Sequence, residues 1–331
     1  MNYRFKIRSL SYCLLTGLLL SSSVAASTRS VDRQDMQRFI DEMSKQHKFE
    51  RGELEELLGN AKIHQSILDA ISRPAEAKPW FKYKTIFLNP ARIKGGLKFW
   101  NDNALTLKKA SQKYGVPPEI MVAIIGVETR YGRHKGTFPV IDSLATLAFA
   151  YPPRSQFFRG ELKEFLLMAR EEKIDPTKQL GSYAGAMGMP QFISSSFRNY
   201  AIDFDKDGFR DLWNNPADAI GSVANYFKRH GWKKGQPVVA RVETRGKKYK
   251  RLIKRELKPQ HDFRDLKKYG IQFKEKYPSK LKGTLLELDS GTKQPEYWVG
   301  WQNFYVISRY NHSAHYSMAV YLLAQEIRKR R

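Results

Sequence analysis

The chain has 331 residues, with 58 Lys and Arg, 33 Asp and Glu, a formal charge of +25 and one cysteine. Hydrophobic residues make up 41% and aromatic residues 13%, so the chain can bury a sizeable core and is not intrinsically disordered. One cysteine excludes an intramolecular disulfide and a cysteine-based zinc site. The excess of cations favours an anionic partner such as nucleic acid, a membrane surface or an acidic polymer.

Residues 1–26 have the features of a secretory signal peptide. The cations Arg4, Lys6 and Arg8 precede an apolar stretch around Leu14–Leu20, and small residues at 23–26 suit a signal peptidase. That stretch is short for a membrane-spanning helix, which disfavours the alternative of an uncleaved anchor. Cys13 precedes the apolar stretch, whereas a lipid-modified cysteine follows it. We therefore expect a soluble periplasmic protein that is not a lipoprotein, and no nucleic-acid partner.

Apolar periodicity predicts a mainly helical chain after the signal peptide. A helical subdomain is expected over 27–115, with an aromatic loop at 78–90. Pro117 and Pro118 begin a helix whose run Ile120–Val127 carries no polar side chain, which predicts burial on all sides. Further helices are expected at about 141–150, 155–173, 190–201 and 216–230, a β-rich insert at 233–300, and a C-terminal return to helix over 301–331.

The charge is concentrated in and beside the predicted insert. Residues 228–282 contain 20 Lys and Arg but 5 Asp and Glu. This pattern is compatible with a solvated face, but its concentration favours an anion-binding surface. For an exported protein, the corresponding anionic polymer is peptidoglycan, which carries lactyl and peptide carboxylates.

Glu128 lies at the end of the apolar helix. Partial desolvation there would raise its pKa, and the negative end of the helix dipole would add to the rise. These conditions suit a general acid that is still protonated near neutral pH. Nearby Arg130 would oppose the rise, and a structural ion pair between Glu128 and an arginine is the alternative. Gly132 is predicted to cap the helix.

A run of small residues, Ala184–Gly188, precedes Gln191 and Phe192. Small side chains allow the backbone itself to line a groove and to offer N–H and C=O groups to a ligand. Tight helix packing is the alternative explanation for the same composition.

Together these segments resemble the lytic murein transglycosylases of the B family. The shared motifs are Glu-Thr-x-Tyr-Gly at Glu128, the small-residue run with Gln191-Phe192, residues 218–227, and Arg309-Tyr310-Asn311. The resemblance implies a mainly α (α+β) fold with a lysozyme-like catalytic core over 116–232. It also implies that Glu128 is the sole catalytic acid/base. The positions that match the family's glycan groove are Tyr83, Ser182, Gln191, Tyr226, Tyr310, Asn311 and Tyr316.

The implied reaction cleaves the β-1,4 bond between N-acetylmuramic acid and N-acetylglucosamine in peptidoglycan without water, leaving a 1,6-anhydromuramyl end. A lysozyme-type muramidase and a catalytically inactive peptidoglycan-binding protein are the alternatives. We expect no organic cofactor. The expected partners are glycan strands, with wall-synthesis proteins as further candidates, and the mature protein is expected to be a monomer.

Residues 203–218 contain the start of an EF-hand loop. Asp203, Asp205 and Asp207 occupy the first three acidic positions, a glycine follows, and Phe209 could supply its backbone carbonyl. Asn214 stands where the usual closing glutamate would be. The family resemblance implies a longer loop closed by Asp218 and a structural Ca²⁺ ion. An Asp-rich surface turn, or a sodium or magnesium site, is the alternative.

Overall fold

The computed structural model describes residues 32–72, 78–253 and 256–331. The predicted signal peptide, residues 1–26, lies outside these ranges. Within them, no helix has both the length and the apolar composition needed to cross a bilayer.

Helices dominate the described residues, which confirms the predicted mainly α fold class. The helices are α1 (Arg33–His47), α2 (Arg51–Asn60), α3 (Gln65–Ile71), α4 (Trp80–Phe87), α5 (Pro90–Asp102), α6 (Ala104–Tyr114), α7 (Pro118–Thr129), α8 (Val140–Phe149), α9 (Ser155–Glu171), α10 (Ser194–Tyr200), α11 (Pro216–Arg229), α12 (Phe263–Lys268), α13 (Gln302–Ser308) and α14 (Ala314–Arg330). The strands are β1 (Phe138–Pro139), β2 (Leu180–Gly181), β3 (Val239–Thr244), β4 (His261–Asp262), β5 (Ile271–Phe273), β6 (Lys282–Leu288) and β7 (Glu296–Gly300).

The predicted aromatic loop at 78–90 is wrong, because this segment contains helix α4 and the start of α5. Pro79 and Pro90 suggest a loop, but each stands at a helix start, where proline needs no N–H partner. Trp80, Tyr83 and Phe87 recur at helical spacing and pack into one apolar cluster. Burial of this face therefore stabilises a helix that flanking prolines obscure in the sequence.

Helix α7 lies at the centre of the helical layer. It packs against α5, α6, α11 and α14, and its residues from Ile120 to Ile125 are almost fully buried. This agrees with the run of apolar residues in the sequence. Because neighbours surround the helix, its C-terminal end is held in a defined position.

The end of α7 differs from the prediction that Gly132 caps it. The helix ends at Thr129, and Arg130 (φ 50°) and Tyr131 (φ 63°) both adopt the left-handed conformation. Their N–H groups donate to the carbonyls of Gly126 and Ile125 respectively, which satisfies two C-terminal acceptors of the helix. Non-glycine residues are strained in this region, so the contacts of Tyr131 described below must hold it there.

The predicted helix at 190–201 begins only at Ser194. The preceding residues form a turn-rich loop in which Met187 pairs with Phe192 across a β-bridge. Gly188 has φ 70°, and a Cβ there would lie 2.5 Å from the carbonyl oxygen of Leu212. Glycine is therefore required by both conformation and space, and the small-residue run folds as a loop rather than entering a helix directly.

Residues 239–300 contain a five-stranded antiparallel sheet in the order β4-β6-β7-β3-β5. The sheet has its own apolar cluster, in which Leu266, Leu285, Val299 and Trp301 are fully buried. Opposite this cluster, Leu286 and Leu288 of β6 join the apolar cluster around α4. Alternate burial along β6 therefore attaches the sheet to the helical layer.

Candidate active site

Glu128 occupies the last turn of α7 and is partly buried. The Tyr316 hydroxyl, on α14, donates a hydrogen bond to Glu128 Oε1 at 2.5 Å. Burial raises the pKa of Glu128 from 4.5 to about 7, while the hydrogen bond from Tyr316 lowers it. Arg130 is exposed and does not figure among the influences on this pKa. The carboxyl group is therefore poised to hold and release a proton near neutral pH.

Arg92 and Tyr131 connect α5 to the end of α7. The buried guanidinium of Arg92 donates to the carbonyl of Gly126, and the Tyr131 hydroxyl donates to the carbonyl of Arg92 at 2.7 Å. A Cβ at Gly126 would lie 2.6 Å from the Tyr131 ring and hydroxyl, so glycine there makes room for the tyrosine. These two bonds hold the backbone next to Glu128.

Sequence reasoning missed Arg92. A signal was available, because Arg92, Gly96 and Phe99 occupy one buried face of α5 at helical spacing. A charged residue in a buried stripe requires polar partners, and the last-turn carbonyls of α7 supply them.

Three of the predicted groove tyrosines are connected to Glu128 directly or through one another. Tyr226 and Tyr310 contact each other with ring centroids 4.9 Å apart, and Tyr316 bonds Glu128 directly. Burial, and then the charge of Glu128, raise the pKa of Tyr310 well above its ordinary value. Tyr226 also stacks on His230 at 4.0 Å, a neighbour that sequence reasoning did not identify.

Hydroxyl groups tie this aromatic cluster to the surrounding backbone. Tyr226 donates to the carbonyl of Arg309 at 2.6 Å, and Tyr310 donates to the carbonyl of Pro190 at 2.5 Å. The first bond fixes the turn after α13, and the second fixes the loop before α10. These hydrogen bonds consequently connect predicted groove residues to distant parts of the chain.

Ser182 and Gln191 shape the loop that faces the end of α7. The Ser182 hydroxyl accepts the N–H groups of Ala184 and Ala186, and Gln191 Nε2 donates to the carbonyls of Lys135 and Gly188. Their side chains thus organise the small-residue loop.

Thr129 joins this loop to the residue after Glu128. Its hydroxyl donates to the carbonyl of Met189 at 2.8 Å. The loop therefore lies against the C-terminal end of α7, where its backbone can line a groove.

The two remaining predicted groove residues have different settings. Tyr83 is 7% exposed in the apolar cluster of α4, with its ring 5.5 Å from that of His315, the residue before Tyr316. Tyr83 also raises the pKa of Tyr316, so it lies near the tyrosine that contacts Glu128. Asn311 is partly buried in the turn between α13 and α14, directly after Tyr310.

Four aspartates of the predicted metal loop converge. Carboxylate oxygens of Asp203, Asp205, Asp207 and Asp218 all lie within 4.8 Å of one another. Burial raises the pKa of Asp218 to about 6, and the charges of Asp205 and Asp203 add to the rise. Such a concentration of negative charge and oxygen donors matches what a hard cation requires.

Backbone N–H groups hold the loop in shape. Asp218 accepts from the N–H groups of Phe204 and Asp211, while Asn215 Nδ2 donates to Asp205 Oδ2 at 3.0 Å. The Phe209 N–H donates to Asp207, and its side chain is 66% exposed. Asn215 thus caps the start of α11 and orients an aspartate.

Comparison with known proteins identifies the family. The family model described as "Transglycosylase SLT domain" matches residues 31–325. The chain belongs to the SLT-domain transglycosylases.

Individual relatives agree with that membership. The chain is 44% identical over 301 residues to membrane-bound lytic murein transglycosylase B of Escherichia coli K12, covering 88% of this chain and 82% of the relative. The crystal structure of soluble lytic transglycosylase SltB1 from Pseudomonas aeruginosa superposes with a TM-score of 0.85 at 49% identity, covering 90% of this chain and 99% of that one. E. coli lytic transglycosylase Slt35 in complex with calcium superposes with a TM-score of 0.83 at 44% identity, covering 90% and 93%.

These matches confirm the predicted family, the lysozyme-like fold class and the predicted enzyme class, a lytic transglycosylase. In this SLT-domain transglycosylase, Glu128 is the partly buried carboxyl group that accepts a hydrogen bond from the Tyr316 hydroxyl. Tyr316 supplies a hydroxyl donor to this carboxyl group, while Tyr226 and Tyr310 form an aromatic pair whose hydroxyl groups donate to backbone carbonyls.

Proposed function

We propose that this enzyme cleaves the β-1,4 bond between N-acetylmuramic acid and N-acetylglucosamine in peptidoglycan, with Glu128 as the sole acid/base. The observation that carries the proposal is the Glu128–Tyr316 pair. Burial raises the pKa of Glu128 to about 7, and one hydroxyl donor holds its carboxyl group. The name of the E. coli relative, a lytic murein transglycosylase, supports peptidoglycan as the substrate.

The first step is proton donation. Protonated Glu128 gives its proton to the oxygen that leaves with N-acetylglucosamine, and the C1–O bond of the muramyl residue breaks. Positive charge develops at C1 and is carried by the sugar's own acetamido group or by an oxocarbenium-like state. As Glu128 becomes ionised, the Tyr316 hydroxyl stabilises its new charge by donating a hydrogen bond to it.

The second step returns the proton. The Glu128 carboxylate takes the proton from the muramyl C6 hydroxyl, whose oxygen attacks C1 and closes a 1,6-anhydro ring. Glu128 ends protonated as it began, and no water is consumed. Glycosidases that use a second carboxylate need it within about 10 Å of the first. Between Glu119 and Asp142 the sequence contains no acidic residue other than Glu128, which agrees with a single-acid mechanism.

The aromatic cluster supports a positioning role in this reaction. Tyr226 and Tyr310 are held by hydroxyl bonds to backbone carbonyls, so their rings offer rigid surfaces to a sugar. Rigid placement of the C6 hydroxyl against C1 lowers the entropic part of the barrier. The loop shaped by Ser182 and Gln191 would supply backbone donors to the glycan at the same groove.

Product analysis tests the assignment. Purified peptidoglycan digested with the enzyme should yield 1,6-anhydromuropeptides by mass spectrometry, and Glu128→Gln should abolish their formation. Glu119→Gln is a matched control, because Glu119 lies on the same helix, is buried and pairs with Arg328; it should retain turnover. Reducing muramyl ends would identify a hydrolase instead, and full activity of Glu128→Gln would refute the role of that residue.

We further propose that the aspartate loop binds a structural Ca²⁺ ion. Four converging carboxylates support the proposal, as does the calcium complex of the related Slt35. Asp203, Asp205, Asp207 and Asp218, with the Phe209 carbonyl, would hold the ion. Calorimetric titration of the protein with Ca²⁺, and with Mg²⁺ and Na⁺ as competitors, tests the choice of ion. No heat of Ca²⁺ binding to metal-stripped protein would refute it.

We also propose that the enzyme is exported and released into the periplasm without a lipid anchor. The signal-like residues 1–26 and the position of Cys13 before the apolar stretch support this. The E. coli relative is named membrane-bound, so the two cases must be separated experimentally. Cell fractionation, combined with the intact mass of the mature protein, distinguishes them. Recovery in the membrane fraction with a lipid-sized mass increment would contradict the proposal.

A further inference from the structure

The sheet borders a cleft of about 1290 Å³ that shares no residue with the Glu128 groove. Residues of β3, β5 and β7 line it, together with Tyr249 and part of the segment between β6 and β7. Its lining is polar and balanced in charge, since Arg241 and Lys274 are matched by Glu243 and Glu296. A cleft of this size can accommodate several sugar or peptide units.

The cleft has a strongly basic border. The segment 245–251 contains five cations and no acid, and two of its members, Gly246 and Tyr249, line the cleft. The cations are exposed, and within the described ranges none of them forms an ion pair. In α1 and α2, by contrast, Arg38 and Arg51 pair with nearby carboxylates. Unpaired like charges repel one another, and an anionic ligand at the border would relieve that repulsion.

An aromatic wall stands inside this border. The rings of Tyr249 and Tyr297 meet edge to face at 5.2 Å, with their hydroxyl oxygens 3.2 Å apart. Tyr297 in turn donates to Glu287. On the neighbouring strand, Arg241 lies 5.8 Å from the ring of Trp298. Partly exposed rings held by hydrogen bonds are suited to contact the apolar faces of sugars and peptide side chains.

The cleft is joined to the helix that carries Tyr83. The Phe81 N–H, on α4, donates to the carbonyl of Asp289 at 3.1 Å. Lys84 pairs with the lining residue Glu296 at 3.4 Å. The segment 289–296 therefore forms one side of the cleft and rests directly on α4.

We propose that this sheet cleft is a second, non-catalytic peptidoglycan site that recognises the carboxylates of stem peptides. The proposal rests on the proposed function, because peptidoglycan is the anionic polymer that the enzyme would meet. Cations of the border contact the carboxylates, and the tyrosine wall contacts the attached residues. This site would hold the enzyme on the polymeric wall while Glu128 acts on a glycan strand.

Co-sedimentation with purified insoluble peptidoglycan tests the anchor. The assay uses the Glu128→Gln variant, so that the polymer is not cleaved. Replacing Lys247, Lys248 and Lys250 by glutamine in this variant should weaken binding about tenfold at low salt. The loss should shrink at high salt, because exposed charges are then screened. It should also disappear on glycan whose stem peptides an amidase has removed.

A second variant distinguishes specific binding at the cleft from non-specific attraction to the positive charge of the protein. Tyr249→Ala changes no charge and should weaken binding several-fold at both salt concentrations, after thermal melting has shown that it folds. The matched control neutralises three exposed lysines elsewhere, Lys45, Lys108 and Lys109, and should bind as the parent does. Equal weakening by this control would overturn the proposal in favour of non-specific attraction. Unchanged binding of the triple lysine variant would also overturn it.

Turnover distinguishes the anchor from the proposed function. With Glu128 intact, the triple variant should cleave a short soluble glycan at the parent rate and insoluble peptidoglycan more slowly. Slower cleavage of the short glycan would place the cleft within the catalytic groove and refute a separate site. If the parent formed no anhydro product at all, the proposed function would be wrong. The co-sedimentation assay would still test the binding site, because it does not depend on cleavage.

Discussion

Glu128 should make the folded enzyme less stable as the pH rises. Burial raises its folded-state pKa to about 7 from 4.5, so the folded state binds more protons than the unfolded chain between these values. The free energy of unfolding therefore falls as the pH rises through this window. A difference of about 2.5 pKa units corresponds to a loss of about 3 kcal/mol once both states are ionised.

Glu128→Gln removes this loss. Glutamine stays neutral at every pH and can still accept the hydrogen bond from Tyr316. At pH 4 the variant should be as stable as the parent, because the parent carboxyl group is then mostly protonated. At pH 8.5 the variant should be more stable by up to about 3 kcal/mol.

Urea unfolding of both proteins at the two pH values measures this difference. Other titrating groups affect parent and variant alike. The pH dependence of the difference in their free energies of unfolding therefore reports on Glu128 alone. Glu53→Gln, at an exposed position of α2, is the control and should change stability little at either pH. An equal effect of Glu128→Gln at pH 4 and pH 8.5 would refute the link between burial and acid function.

Three further outcomes are expected. Tyr316→Phe removes a donor that favours ionised Glu128, so the pKa of Glu128 should rise further and the alkaline limb of the kcat/KM profile should move up by about one pH unit; an unmoved limb would contradict this. Tyr131→Phe keeps the ring but loses the hydrogen bond to the Arg92 carbonyl. In steady-state assays on a soluble glycan, kcat should therefore fall about tenfold with KM nearly unchanged. A change confined to KM would argue against a positioning role for Tyr131. Saturating Ca²⁺ should raise the melting temperature by about 5 °C relative to EDTA, and Asp218→Asn should lose most of that rise; an equal rise in the variant would count against the proposed ligand.

Local sequence patterns predicted the features that depend on neighbouring residues. Eight apolar or small residues before Glu128 indicated a buried helix and a desolvated carboxyl group, and α7 has both. The spacing of acidic residues from Asp203 to Asp207 indicated an oxygen-rich loop, and their carboxylates do converge. In each case the chemistry lies within one short segment.

Local sequence patterns do not predict features that depend on contacts between distant segments of the chain. Family resemblance placed Tyr316 in the groove, but its hydrogen bond to Glu128 was not predicted, since nothing in the periodicity of α14 indicates it. The role of Arg92 requires knowing that α5 crosses the end of α7. The local sequence predicts a loop in place of α4 because the partners that stabilise this helix, including Phe304 and Met318, come from the other end of the chain.

The bond between Tyr316 and Glu128 spans 188 residues, which has a consequence for when the enzyme becomes active. A chain that emerges N-terminus first exposes Glu128 long before α14 is available. Until that last helix packs, Glu128 lacks the Tyr316 hydroxyl donor and the apolar surface of α14, so part of the burial that raises its pKa is missing. We therefore expect a chain that ends before α14 to lack glycan-cleaving activity, because the acid site is complete only when α14 has packed.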